Sequence, residues 1–197
     1  MKAVIVTFLA ICCFIAASAQ YQKNFTDAEE RMARNQIGNP NYCRSAMAQK
    51  MTIVAEQHVG AEREVFAKQD IDQAEKLYMR GSRMLLSGEE SKKQFDSVVS
   101  LYPQLNRAGC AQLYRAQQEV GGEKERLLKD CLARFSNCYY LDGAQVGPLA
   151  TYQLACYYRN IGRYHDADEF FGQLRKDHPE AVGHDGRLLV DKIDELH

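Results

Sequence analysis

Residues 149–181, LATYQLACYYRNIGRYHDADEFFGQLRKDHPEA, carry apolar side chains three and four positions apart on both sides of Gly162 and end on Pro179-Glu180-Ala181. That spacing is the period of one helix face, so the segment buries its apolar side chains best as two helices folded back on each other. Almost nothing elsewhere alternates apolar and polar in the two-residue rhythm of a half-buried strand. The sequence therefore predicts an all-α protein.

The same layout recurs upstream. Thr26 and Glu29 form a capping box that opens a short helix stopping at Gly38. After GNPNY, Met47, Met51, Val54 and Val65 mark one face of a longer helix, with methionine as a deformable contact. Asp70 offers the next N-cap. Ala74, Leu77, Tyr78, Gly81 and Met84 follow as a stripe, then Phe95, Val98, Val99 and Tyr102 before Pro103. The helix RAGCAQLYRAQQEV is expected to stop at Gly121-Gly122, and Leu127, Leu128, Cys131, Leu132 and Phe135 stripe its successor. Gly147-Pro148 opens a helix where proline's missing amide costs nothing, and Gly162 closes it in the left-handed region. Ala167, Phe170, Phe171 and Leu174 turn inward beyond it. A last helix with Leu189, Ile193 and Leu196 on one side reads as a cap.

The chain begins MKAVIVTFLAICCFIAASAQ: Lys2, an apolar run from Ala3 to Ala17, and a small-residue cleavage site at Ala17-Ser18-Ala19. The run is shorter than the roughly 20 residues that span a bilayer, so residues 1–19 are expected to be a secretory signal peptide and not an anchor. Gln20, not cysteine, follows the cut, so no lipid anchor is expected and the mature protein should be periplasmic or secreted. Of 25 basic side chains, Lys2 leaves with the signal, and the remaining 24 face 26 acidic ones. No global field draws such a chain to nucleic acid or anionic lipid.

Seven cysteines occur, and Cys12 and Cys13 fall in the signal. Cys43, Cys110, Cys131, Cys138 and Cys156 remain as possible disulfide cysteines of open pairing, an odd number that cannot all pair internally. Cys131 and Cys138 would lie about 10.5 Å apart along an unbroken helix, so they can bridge only if the helix ends between them. No CxxC or Cys/His spacing points to zinc or redox chemistry.

Pro148 to Ala181 spans 34 residues and places Leu154, Ala155, Tyr158, Gly162, Tyr164, Ala167, Phe171 and Pro179 at the small, aromatic and proline positions of a repeat. The segment resembles a tetratricopeptide (TPR) repeat, of the kind found in bacterial periplasmic envelope proteins such as the Tol-associated division coordinator and the outer-membrane-assembly lipoprotein. Thr151 and Leu174 depart from its usual aromatic and small residues. The hairpins upstream are degenerate versions, and the resemblance covers roughly residues 70–181. It implies a short α-solenoid of helical hairpins, a TPR-like superhelix, with N-terminal extra helices over 20–69 and a C-terminal capping helix within 70–197. It further implies that first helices line a concave groove presenting Tyr78 and Ser82, then Arg115, Gln118 and Glu119, then Tyr152, Cys156, Arg159 and Asn160 to a protein partner.

Chemistry is harder to find. His165, Asp166, Asp168 and Glu169 form the densest polar cluster, but on a helix only His165 with Asp168 or Glu169 share a face, and acids suit a helix start without any metal. Cys156 near His165 lacks an activating signature for a nucleophile, and the scattered glycines make no phosphate-cradling loop. Asn24-Phe25-Thr26 is a glycosylation sequon, relevant only in a eukaryotic secretory pathway. No catalytic residue, metal site or cofactor is expected. The expected function is a non-catalytic scaffold binding another envelope protein; the alternatives are a structural subunit of a larger surface assembly and, behind it, a thiol-active enzyme using Cys156 or Cys43.

Overall fold

A computed structural model describes residues 40–83 and 88–196. The chain divides into two compact units, Met1–Ala46 and Met47–His197; of the first only the opening of a helix is described, and every other described residue belongs to the second. The signal segment, the capping box at Thr26 and the Met84 position lie outside the described residues, as does the side chain of Cys43.

Eight helices are described: α1 Pro40–Val65, α2 Lys68–Arg83, α3 Glu89–Leu101, α4 Asn106–Gln118, α5 Gly121–Arg134, α6 Val146–Asn160, α7 Tyr164–Asp177 and α8 Leu189–Asp194. Among the described residues there is no strand beyond two isolated bridges, so the chain is all-helical. From α2 onward each helix packs on the next, and α2, α4, α6 and α8 also touch one another in turn. Sequence composition explains why the alternate helices meet. In α4 the buried set is Asn106, Ala108, Gly109, Cys110, Ala111, Gln112, Leu113 and Ala116, mostly small side chains that admit neighbours on several sides. The intervening helices bury one stripe each, such as Leu127, Leu128 and Cys131 in α5 or Ala167, Phe171 and Leu174 in α7. Phe95, Leu113, Leu128, Leu154, Leu174 and Ile193 are fully buried, and each contributes about 1.5–3 kcal/mol through its burial.

Several boundaries differ from the expectation. α2 starts at Lys68, and the Asp70 and Ile71 amides both donate to the Ala67 carbonyl, so Asp70 sits in the first turn, where its charge suits the helix dipole. α4 ends at Gln118, and Gly121 (φ 59°) opens α5 instead of closing α4. Gly162 adopts φ 79° behind α6, as its position predicts.

A feature that helical periodicity does not predict comes after α5 and again after α7. The chain makes a tight hairpin closed by the bridge Tyr139↔Gln145, and 43 positions later another closed by Val182↔Leu188. The hydrogen bonds correspond one for one: Tyr140 N to Ala144 O, Gly143 N to Tyr140 O and Val146 N to Cys138 O in the first; Gly183 N to Arg187 O, Gly186 N to Gly183 O and Leu189 N to Ala181 O in the second. Each is a three-residue loop with Asp-Gly at its tip and glycine at positive φ, 89° for Gly143 and 71° for Gly186. The Asp142 carboxylate accepts the Ala144 amide, and Asp185 does the same for Arg187. After α3 the same helix end occurs, with Tyr102 N donating to Val98 O and Leu105 N to Tyr102 O, but α4 begins at once and the hairpin is missing.

Helix α1 lies along these hairpins. A Cβ on Gly143 would meet the Thr52 amide nitrogen at 2.6 Å and the Met51 carbonyl carbon at 2.7 Å, and one on Gly186 would meet the Ala48 Cβ at 3.3 Å. His58 packs on Tyr139 (5.2 Å between ring centroids), and the Glu62 carboxylate accepts the Asn106 amide at 2.5 Å, capping α4 from another element. On α1 the hairpin contacts come from Ala48, Met51, Thr52 and His58, with Ala55 fully buried; of the expected Met47, Met51, Val54 and Val65, the first three are half-buried and Val65 is 75 % exposed. The Gly143 tip thus brings backbone against the α1 backbone.

Candidate functional site

The residues expected to line a groove differ in what they touch. Tyr78 is buried, packed on Phe95 and Tyr114, with the Arg107 guanidinium 4.7 Å over its ring. Ser82 donates to the Met79 carbonyl of its own helix. Arg115, Gln118 and Glu119 do come together, but in a polar network joining α3 to α4. Arg115 pairs with Asp96 and Glu119, Lys92 reaches Glu119 at 2.9 Å, and Gln118 donates to Ser91, which donates to the Gly81 carbonyl. On α6, half-buried Tyr152 faces Phe171 and interacts with Cys156, and burial raises its hydroxyl pKa to about 12. Arg159 donates to the Leu196 carbonyl at 2.5 Å, tying the end of α8 to α6, and Asn160 is exposed.

The thiols are shielded. Cys110, Cys131, Cys138 and Cys156 carry no disulfide. α5 ends at Arg134, so the helix does break between Cys131 and Cys138. Burial pushes every one of these thiols upward, Cys138 to about 11. The Cys138 side chain rests on the α4 backbone where a Cβ on Gly109 would be 2.5 Å from its sulfur. Cys110 donates to the Tyr139 carbonyl at 3.4 Å. A thiol that resists ionisation is a poor nucleophile at neutral pH.

Three clefts converge on the elbow where α1 meets α2. One of about 620 Å³ lies between α1, α2 and the first hairpin, walled by Val59 and Ile71 with Leu141 at its mouth. A second, of about 360 Å³, runs from His58 and Val65 across to Phe135 and Cys138, and a third of about 290 Å³ is bounded by Phe66, Leu101 and Pro103. The first two share Glu62 and Asn106, and the last two share Phe66 and Gln104. Val65, Leu101 and Leu141 are 75 %, 66 % and 51 % exposed around them. The floor is rigid. Asn106, 4 % exposed, donates to the Tyr139 carbonyl at 2.8 Å and accepts the Tyr139 amide at 2.7 Å, pairing the hairpin to α4 as a strand would. Arg107 donates to both oxygens of Glu75; burial works against its charge, yet Glu75 outweighs it and its pKa is raised. The sequence holds one sign of this region: Asp-Gly after aromatic residues is a hairpin signal, and Leu141 beside it is held out at the loop tip.

At the start of α7 the ligand atoms of His165, Asp166 and Glu169 lie within 4.8 Å of one another. Asp166 accepts from Arg163 at 2.7 Å, and Arg163 lies 4.3 Å over the Tyr158 ring, so the acid already has a cationic partner. In comparisons with known proteins, the chain matches no family model, no curated protein and no solved structure.

Proposed function

We propose that this protein is an exported, non-catalytic scaffold of the TPR type that binds another protein of the cell envelope, with the elbow of α1 and α2 as its docking site. The observation that carries the reading is the set of three linked clefts rimmed by exposed Val65, Leu101 and Leu141 over a hydrogen-bonded floor. Exposed apolar side chains beside a concave, polar-rimmed surface are the usual mark of a protein-binding patch. Helices that touch both their immediate and their alternate neighbours support a solenoid of stacked hairpins. Of the groove residues, Arg115, Gln118 and Glu119 are tied into the α3–α4 network and Tyr78 is in the core, so the elbow is the better surface. The raised thiol pKa values weigh against a thiol-active enzyme.

A second reading, a subunit of a larger assembly, has its own support: Val120, Ile161 and Tyr164 at the α4–α5 and α6–α7 turns are 83 %, 49 % and 64 % exposed. Photo-crosslinking residues placed singly at Leu141, Val120 and Tyr164 in the producing cell separate the two. Capture of a discrete partner from Leu141 supports docking at the elbow. Adducts from Val120 and Tyr164 alone would replace it with lateral assembly. Export is checked by the mass of the mature chain, which should begin at Gln20.

A further inference from the structure

The geometry points to a definite chemistry for the partner: we propose that the cleft between α1 and α2 takes an amphipathic peptide segment bearing a single carboxylate among apolar side chains. The inference rests on the docking reading above and deepens it. A cleft of about 620 Å³ accommodates a few side chains, and Val59, Ile71 and Leu141 offer them apolar contact.

The charges decide the sign. Arg107 and Glu75 hold each other and offer a ligand no net charge, whereas Glu62 has only the neutral Asn106 amide as its partner. At the rim, Lys68 and Asp72 stand 3.6 Å apart with side chains 91 % and 64 % exposed, a pairing that contributes little. Arg63 lines the cleft, is exposed, and makes no ion pair with any described residue. Its planar fork is shaped to grip a carboxylate with two hydrogen bonds. Glu62 behind it would repel a second carboxylate pushed deeper. The site therefore selects one acid at the mouth, flanked by apolar residues, over a polyacidic tract or a basic helix.

The test uses the full mature chain and a fluorescently labelled, Leu-rich synthetic peptide with one central Glu, beside its Glu→Gln and Glu→Lys counterparts, read by anisotropy. The Glu peptide should bind about tenfold more tightly than the Lys peptide, the difference expected of one charge-assisted contact. Arg63→Ala should remove that discrimination, Arg63→Glu should reverse it, and Leu141→Asp should weaken all three. Equal binding of the Glu and Lys peptides overturns the inference, as does insensitivity to Leu141→Asp, or uptake of dodecanoate with no peptide bound. Circular dichroism of each variant guards against misfolding, since Arg63 and Leu141 are surface residues. If Leu141 crosslinks a partner in cells while the peptides are not discriminated, docking stands and the carboxylate rule falls; if no position crosslinks anything, docking itself falls.

Discussion

Gly143 and Gly162 both hold positive φ, but they differ in what surrounds them. A Cβ on Gly162 would meet nothing within 4 Å, whereas one on Gly143 would strike the backbone of α1. Gly162→Ala should therefore cost about 1–2 kcal/mol, the left-handed penalty alone. Gly143→Ala should cost more and should also loosen α1, seen as faster amide exchange from Ala48 to Glu62. Asn106→Ala removes the partner of the Tyr139 amide and leaves its carbonyl only the weak Cys110 thiol donor, and should cost about 2–3 kcal/mol in a urea melt. The thiols and buried tyrosines set the alkaline limit. Burial raises Cys110, Cys131, Cys138, Tyr78 and Tyr140 in the folded chain, so the native state holds those protons more tightly than the unfolded one. Their contribution is complete below the ordinary thiol value of 9.0 and is lost progressively above it, Cys138 giving way at about 11 and the others at higher pH. Urea midpoints should be level from pH 7 to 8.5 and fall steeply by pH 10.5; a flat profile would mean these groups are solvated.

At the level of elements, periodicity makes most of the helices legible and misplaces their edges. The stripes of α3, α5 and α7 are where three-and-four spacing puts them, because each is buried on one side against neighbours close in sequence. The hairpins escape periodicity because only two residues pair in each, too few to impose a two-residue rhythm. Helix α1 departs from its apolar spacing only at Val65, which is 75 % exposed, and it meets the Gly143 tip with its own backbone at Met51 and Thr52. The candidate site is the least legible part, since it joins His58, Arg63, Phe66, Leu101 and Leu141 from distant stretches and shows no local motif. His184 and Asp142, 2.8 Å apart, join the two hairpins, with the Tyr140 ring 4.5 Å from the imidazole. Burial would raise Asp142, but His184 and the Ala144 amide outweigh it and hold the carboxyl below its ordinary value. That support is present above the unfolded value of 3.8 and is lost as pH falls below it. Asp142→Asn should flatten the acid limb of the stability profile.

Across the whole described unit, stability should be graded. α6 contacts α5 and α7 on its sides and α4 and α8 beyond, and its Leu154 is fully buried. Leu154→Ala should cost about 3–4 kcal/mol and lower the midpoint of global unfolding. Ile193→Ala in the short α8 should fray the C-terminal end first, visible as exchange there before the rest melts. The hairpin after α5 meets α1 at Met51 and Thr52, and the hairpin after α7 meets it at Ala48, so advancing by one unit moves the contact about one turn, roughly 5–6 Å, along the same helix. α1 is in effect a ruler graduated in repeats: a chain that gained another unit without lengthening this helix would leave the newcomer's loop with nothing to grip.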